Sequence, residues 1–154
     1  MATQWTAGTT SGQVLTAATL NTIGAATETF TPTIVGNTSG SVTINNGTLT
    51  GNYFRIQKLI VVNYTLIWGS STATTCVGLW LFSVPIGNAT RGNAVGRILD
   101  AGNTYYRVTG LASSNKMILQ ATDTGSEVQN TVPMATGWAN GDVLTCTFIY
   151  ETSA

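Results

Sequence analysis

The stretch YFRIQKLIVVNYTLIWGS, Tyr53 to Ser70, sets the architecture of this chain. From Leu59 to Trp68 it is almost entirely β-branched, aromatic or aliphatic, the composition of extended backbone. Taken by twos, Ile60, Val62, Tyr64, Leu66 and Trp68 share one face of a strand, which is wholly apolar and predicts core. Leu59, Val61, Asn63, Thr65 and Ile67 share the other, apolar at its ends and polar in its middle. A lone soluble sheet has no use for those apolar ends, so this strand is expected to have core behind it and something other than water in front.

A second stretch gives the same signal. Cys76, Trp80, Phe82 and Val84 alternate with Val77, Leu79 and Leu81, so both faces are apolar and both are expected to be covered. Val61, Ile67, Leu79 and Leu81 are therefore the expected members of a subunit interface. In the last strand, Val143 to Thr152, the residues Leu144, Cys146, Phe148 and Tyr150 line the core face. Between these lie shorter strand signals: Thr29 to Val35, with Pro32 marking an edge or an end; Asn52 to Ile56, with Phe54 and Ile56 inward; Gly96 to Asp100; Tyr105 to Leu111; and Lys116 to Thr122. Asn46-Gly47 is a hairpin or loop signal, and Pro85 to Val95 reads as loop from its Gly, Asn and Pro content. Eight or nine short antiparallel strands in residues 29–154 predict an all-β fold, an antiparallel β-sandwich that is most simply jelly-roll-like.

Residues 1–28 read differently. A Gly/Thr/Ser-rich start leads to Val14-Leu15-Thr16-Ala17-Ala18-Thr19-Leu20-Asn21-Thr22-Ile23-Gly24. Thr16 suits a helix N-cap, Leu15 and Leu20 a hydrophobic staple, and Gly24 a left-handed stop. Two turns of helix are marginal alone in water, so the segment is expected to order by docking, on another protein or on its own domain.

Composition narrows the function. Only 8% of residues are charged, with six Lys plus Arg against six Asp plus Glu, while Thr supplies 29 residues and Gly 17. A typical soluble domain is about 25% charged. So little surface charge suits a protein covered by neighbours in an assembly. Six scattered cations predict no nucleic-acid binding. The longest apolar runs, Leu59–Val62 and Leu79–Phe82, fall far short of the roughly 20 residues that span a bilayer, so no membrane insertion is expected. The first residues carry no signal-peptide pattern, and two cysteines make no disulfide framework.

Catalytic chemistry finds few residues to use. The chain has no His, which removes Ser–His–Asp and Cys–His pairs and most catalytic zinc sites. Cys76 and Cys146 both fall on expected core faces, where thiols are inert. Asp123 and Glu127 lack the full spacing of a calcium loop, and Asp142 and Glu151 fit turn and terminal roles. The chain is expected to be no enzyme, with no cofactor and no metal. What remains is surface: Trp138 and Tyr105, with Trp68 and Tyr106, could present an aromatic platform to sugar rings. The alternative is that these rings pack in the core and the closing turn.

Three stretches resemble small phage virion proteins of the tail-fibre and minor structural type. The first is Trp5…Gly12-Gln13-Val14-Leu15-Thr16-Ala17-Ala18-Thr19-Leu20-Asn21, similar to their Trp…Val-Leu-Thr-Ala-Ala-x-Leu-Asn opening. The second is Gly51-Asn52-Tyr53-Phe54-Arg55-Ile56-Gln57-Lys58-Leu59-Ile60, similar to a Gly-x-Tyr-x-x-x-Gly-Asp/Lys-Leu-Val strand pair, with Gln57 in place of Gly. The third is Trp138-Ala139-Asn140-Gly141-Asp142-Val143-Leu144…Tyr150-Glu151, similar to their Trp-Ala-x-Gly-Asp closing strand and Tyr-Glu end. The resemblance implies a virion surface component, commonly a homotrimer with a jelly-roll-like head, assembled in bacterial cytoplasm. On this reading Trp5, Val14, Leu15, Leu20 and Ile23 attach the protein to other virion proteins of capsid or tail. A capsid decoration or appendage role is the first expectation. A tail-fibre knob touching host surface glycan through Trp138 and Tyr105 is the alternative.

Overall fold

The computed structural model describes residues 27–87, 89–134 and 137–153. Among them there is no helix. Twelve strands run β1 (Glu28–Phe30), β2 (Ile34–Gly36), β3 (Val42–Thr43), β4 (Thr48–Ile56), β5 (Leu59–Ile67), β6 (Ala73–Thr74), β7 (Trp80–Ser83), β8 (Ala89–Asp100), β9 (Thr104–Ser113), β10 (Lys116–Ala121), β11 (Ser126–Glu127) and β12 (Val143–Thr152). The expected N-terminal helix and the attachment residues Trp5, Val14, Leu15, Leu20 and Ile23 lie outside the described residues.

All pairings are antiparallel. One sheet runs β1-β4-β5-β12-β8-β9-β10-β7-β2, with β11 beside β10, and β3 pairs β6 in a small separate ribbon. Its two edge strands, β1 and β2, are consecutive in sequence, joined only by Thr31-Pro32-Thr33. Laid flat, nine strands would be about 38 Å across at 4.8 Å per gap. The link from Phe30 to Ile34 reaches at most about 14 Å. The sheet must therefore curl until its edges meet. Pro32 divides what the sequence suggested as one strand into the two ends of this curl.

The curl encloses the core, and aromatic side chains cross it. Tyr64 on β5 meets Phe82 on β7 edge-on at 6.1 Å and Phe30 on β1 at 5.7 Å, and its hydroxyl donates to the Ser83 carbonyl at 2.9 Å. The alternation in β5 and β12 gives the expected faces. Ile60, Val62, Tyr64, Leu66 and Trp68 are buried, as are Leu144, Cys146, Phe148 and Tyr150. β12 sits between β5 and β8, in unbroken register with β5 and with a shift against β8 between Glu151 and Thr152, so the two most regular apolar strands are neighbours.

Two expectations are corrected. Phe54 and Ile56 do not point inward: Leu49, Gly51 and Tyr53 hold the inner face of β4, and Ile56 is 53% exposed. The glycine hides the phase, because Gly51 contributes no side chain and the Phe30 ring lies over it in register. Residues 89–95 are strand instead of loop. Gly92 and Gly96 lie against the core side of β12, where a Cβ would collide with Tyr150, Phe148 and Cys146. They are glycines for close approach, not for turning. Asn46-Gly47 closes a loop: Asn46 Oδ1 accepts from the Ser71 backbone N–H at 2.8 Å and from its hydroxyl at 2.7 Å.

The β4–β5 hairpin turns on two residues, with Gln57 at φ 54°. A side chain in that left-handed region costs about 1–2 kcal/mol, part of which a glycine regains. Gln57→Gly is expected to raise stability by about 0.5–1 kcal/mol, read as a higher urea midpoint at unchanged m-value. A lowered midpoint would show that the Gln57 side chain stabilises the turn.

Candidate assembly surface

The outer face is ordered in rows. Following registered pairs across the sheet, one row passes Phe54, Val61, Ile149, Asn93, Leu111, Ile118, Leu81 and Val35. Every member except Asn93 is apolar. Because the sheet curls until its edges meet, this row forms a belt around most of the body. Leu111 and Ile149 are 54% and 46% exposed, and the others are half-buried apart from exposed Asn93. Ile56 and Leu59, paired at the hairpin tip, widen the belt on that side.

The next rows are polar apart from Val95, which is 66% exposed. Asn52, Asn63, Thr147, Val95 and Thr109 are in register, with the Thr147 hydroxyl donating to Asn63 Oδ1 at 2.7 Å. Then come Thr50, Thr65, Thr145, Arg97 and Arg107. A second apolar row follows with Ile67, Val143, Leu99 and Tyr105. The apolar-polar-apolar order read on the outer side of β5 is thus repeated on β12 and β9. An isolated exposed Leu means nothing, but apolar residues in register over adjoining strands make a contiguous surface.

Among the expected interface residues, Val61 and Leu81 share the belt, half-buried. Ile67 belongs to the second apolar row and is 41% exposed. Leu79 is half-buried just before β7. The four do not form one cluster.

The proposed sugar platform is not assembled. Trp68 is core, and Trp138 stacks on Trp80 at 5.0 Å with its indole N–H donating to the Gln129 carbonyl at 3.2 Å. Tyr105 stands apart on the outer face, 61% exposed, with the Arg97 guanidinium 5.6 Å from its ring centre.

Polar groups inside are structural. Asp142 is buried, and its carboxylate accepts from the backbone N–H groups of Ala101 at 2.8 Å and Ala139 at 2.6 Å, pinning the closing turn to the β8–β9 turn. At the surface, exposed Asp123 accepts through Oδ2 from the Arg107 backbone N–H at 2.8 Å. Cys76 and Cys146 are free thiols in the core, and burial pushes the Cys146 thiol up to about 12. Among the described residues no cluster of three or more His, Cys, Asp or Glu side chains is placed to hold a metal ion.

The Arg97–Arg107 juxtaposition was missed by the view of six scattered cations. It follows from the β8–β9 hairpin: once Asp100 pairs with Thr104, positions summing to 204 face each other. No family model matches the chain, and no curated protein or solved structure matches it.

Proposed function

We propose that this chain is a non-enzymatic structural protein of a bacteriophage virion surface, an accessory or decoration component of capsid or tail. Residues 1–28 attach it to the particle, and the curled sheet is a jelly-roll-like body that assembles as a homotrimer. The observation that carries this reading is the apolar belt, a registered surface on a chain with very few charges to keep it dispersed. The resemblance adds support: two of its three stretches occupy the β4–β5 hairpin and β12 with its closing turn, which are adjacent in the sheet. Free buried thiols suit assembly in a reducing cytoplasm.

The purified chain is expected to sediment at about three times 16.1 kDa. Ile149→Lys with Leu111→Lys changes two exposed belt positions, so the monomer should lose little stability, within about 0.5 kcal/mol per site. The oligomer, however, should dissociate with unchanged far-ultraviolet circular dichroism. A wild-type monomer at micromolar concentration sinks the assembly reading. For the virion role, deleting residues 1–26 leaves β1 whole and should abolish incorporation into particles, scored with a labelled antibody. Normal incorporation of that variant would remove the attachment assignment.

A further inference from the structure

We propose that Arg97, Arg107 and Tyr105 form a binding site for an anionic glycan, a sugar polymer bearing carboxylate or phosphate groups. The site rests on the β8–β9 register and does not depend on the oligomer or virion role.

Arg97 and Arg107 are direct cross-strand partners on the outer face, and both are exposed. Side chains so placed have Cβ atoms about 4.5–5.5 Å apart, and like charges there repel. Two of the chain's six cations are thus set side by side in a protein that otherwise avoids charge. Among the described residues, neither guanidinium is in ion-pair contact with a carboxylate. Asp123 is engaged with the Arg107 backbone, not its side chain. The fold therefore presents a positive pair at the surface, open to an anion from outside.

The surroundings select the ligand. Tyr105 holds the Arg97 guanidinium against its ring, which pre-orders the donor fork that matches a carboxylate or phosphate. The rest of that exposed ring is open to a sugar. On the other side of Arg97, Thr145, Thr65 and Thr50 continue the row and offer hydroxyls in register. Two cations would contact only about two phosphates, against the 6–10 of a duplex binder, so nucleic acid is not the match. A row of hydroxyls provides no pocket for the apolar side chains of an acidic peptide.

The test titrates the full chain with oligogalacturonate, its methyl ester and a glycerol-phosphate oligomer. One or both anionic probes should bind and the neutral ester should not, with affinity falling as salt rises. Arg97→Gln or Arg107→Gln should weaken binding about tenfold. Tyr105→Ala separates the sources: loss of the pre-ordered Arg97 fork should weaken both probes, and the uronate, whose rings also meet the phenol, more than the glycerol phosphate, which has no rings. Unliganded Arg107→Gln should also melt about 1–4 °C higher, because a repulsion is removed. Equal affinity for the acid and its methyl ester together with no binding of the phosphate oligomer would overturn the proposal. So would dissociation of the oligomer by Arg97→Gln, which would assign the pair to a carboxylate of a second copy.

Discussion

Trp80→Ala is expected to destabilise the protein by about 3–5 kcal/mol, a large share of the roughly 5–15 kcal/mol that holds a domain folded. Trp80 is fully buried in a three-indole cluster in which Trp68 and Trp138 also meet each other at 5.6 Å. It stacks on Trp138 at 5.0 Å and 22° and on Trp68 at 5.9 Å and 10°, with Phe82 edge-on at 6.4 Å. These rings come from β7, from the end of β5 and from the turn before β12, so one side chain joins both walls of the curl to its closing turn. Its indole N–H donates to Asn130 Oδ1 at 2.9 Å. The same oxygen accepts from the Thr74 hydroxyl at 2.9 Å, and Asn130 Nδ2 donates to the Cys76 carbonyl at 2.7 Å. Truncation therefore leaves a cavity and takes one donor from Asn130. Trp80→Phe keeps most of the ring and loses the N–H, so it should cost less, about 1–2 kcal/mol. Urea unfolding of the two variants separates packing from hydrogen bonding. A loss below about 1 kcal/mol for Trp80→Ala would mean that the neighbouring rings close the gap and that the stack is not a keystone of the core.

How far the sequence could be read depended on how local each feature is. β5 and β12 are legible because four alternate residues in each are apolar and uninterrupted, with Trp68 extending the β5 series. β4 was misphased because Gly51 occupies an inward position and its space is filled by Phe30 from another strand. The first part of β8, residues 89–95, reads as loop because Gly92, placed for contact with β12, looks like a turn residue in isolation. The Arg97–Arg107 pair was available in principle, since its hairpin spans few residues. The belt was not: Ile149 opposite Val61 and Leu81 opposite Ile118 are registers between strands distant in sequence, set by a topology that no local period encodes. The mixed outer face of β5 hinted at this surface, but a single strand cannot say which neighbours complete it.

The second large effect is alkaline unfolding. Tyr64, Tyr150 and Cys146 are buried, at 1%, 1% and 4% exposure. Burial raises all three in the folded state: the Tyr64 phenol well above its ordinary range, and the Tyr150 phenol and Cys146 thiol up to about 12. Tyr150 is held between the Ile86 backbone groups, donating to the carbonyl at 2.8 Å and accepting from the N–H at 3.2 Å, so its hydroxyl is fixed as a donor. In the unfolded chain these groups ionise near 10 for tyrosine and 8.5 for cysteine. Between the unfolded and folded values the native state binds more protons, so stability is complete below about pH 8 and falls as pH rises. Each group contributes about 1.4 kcal/mol per pH unit above its unfolded value. By pH 11 the two tyrosines and the thiol together remove several kcal/mol, which is comparable with the whole stability of a marginal domain. Unfolding near pH 11 should release about three protons, and Cys146→Ala should move the alkaline midpoint upward while keeping the tyrosine-driven slope. Stability that stays flat from pH 8 to 11 would mean that these groups ionise in place and that water reaches the interior of the curl.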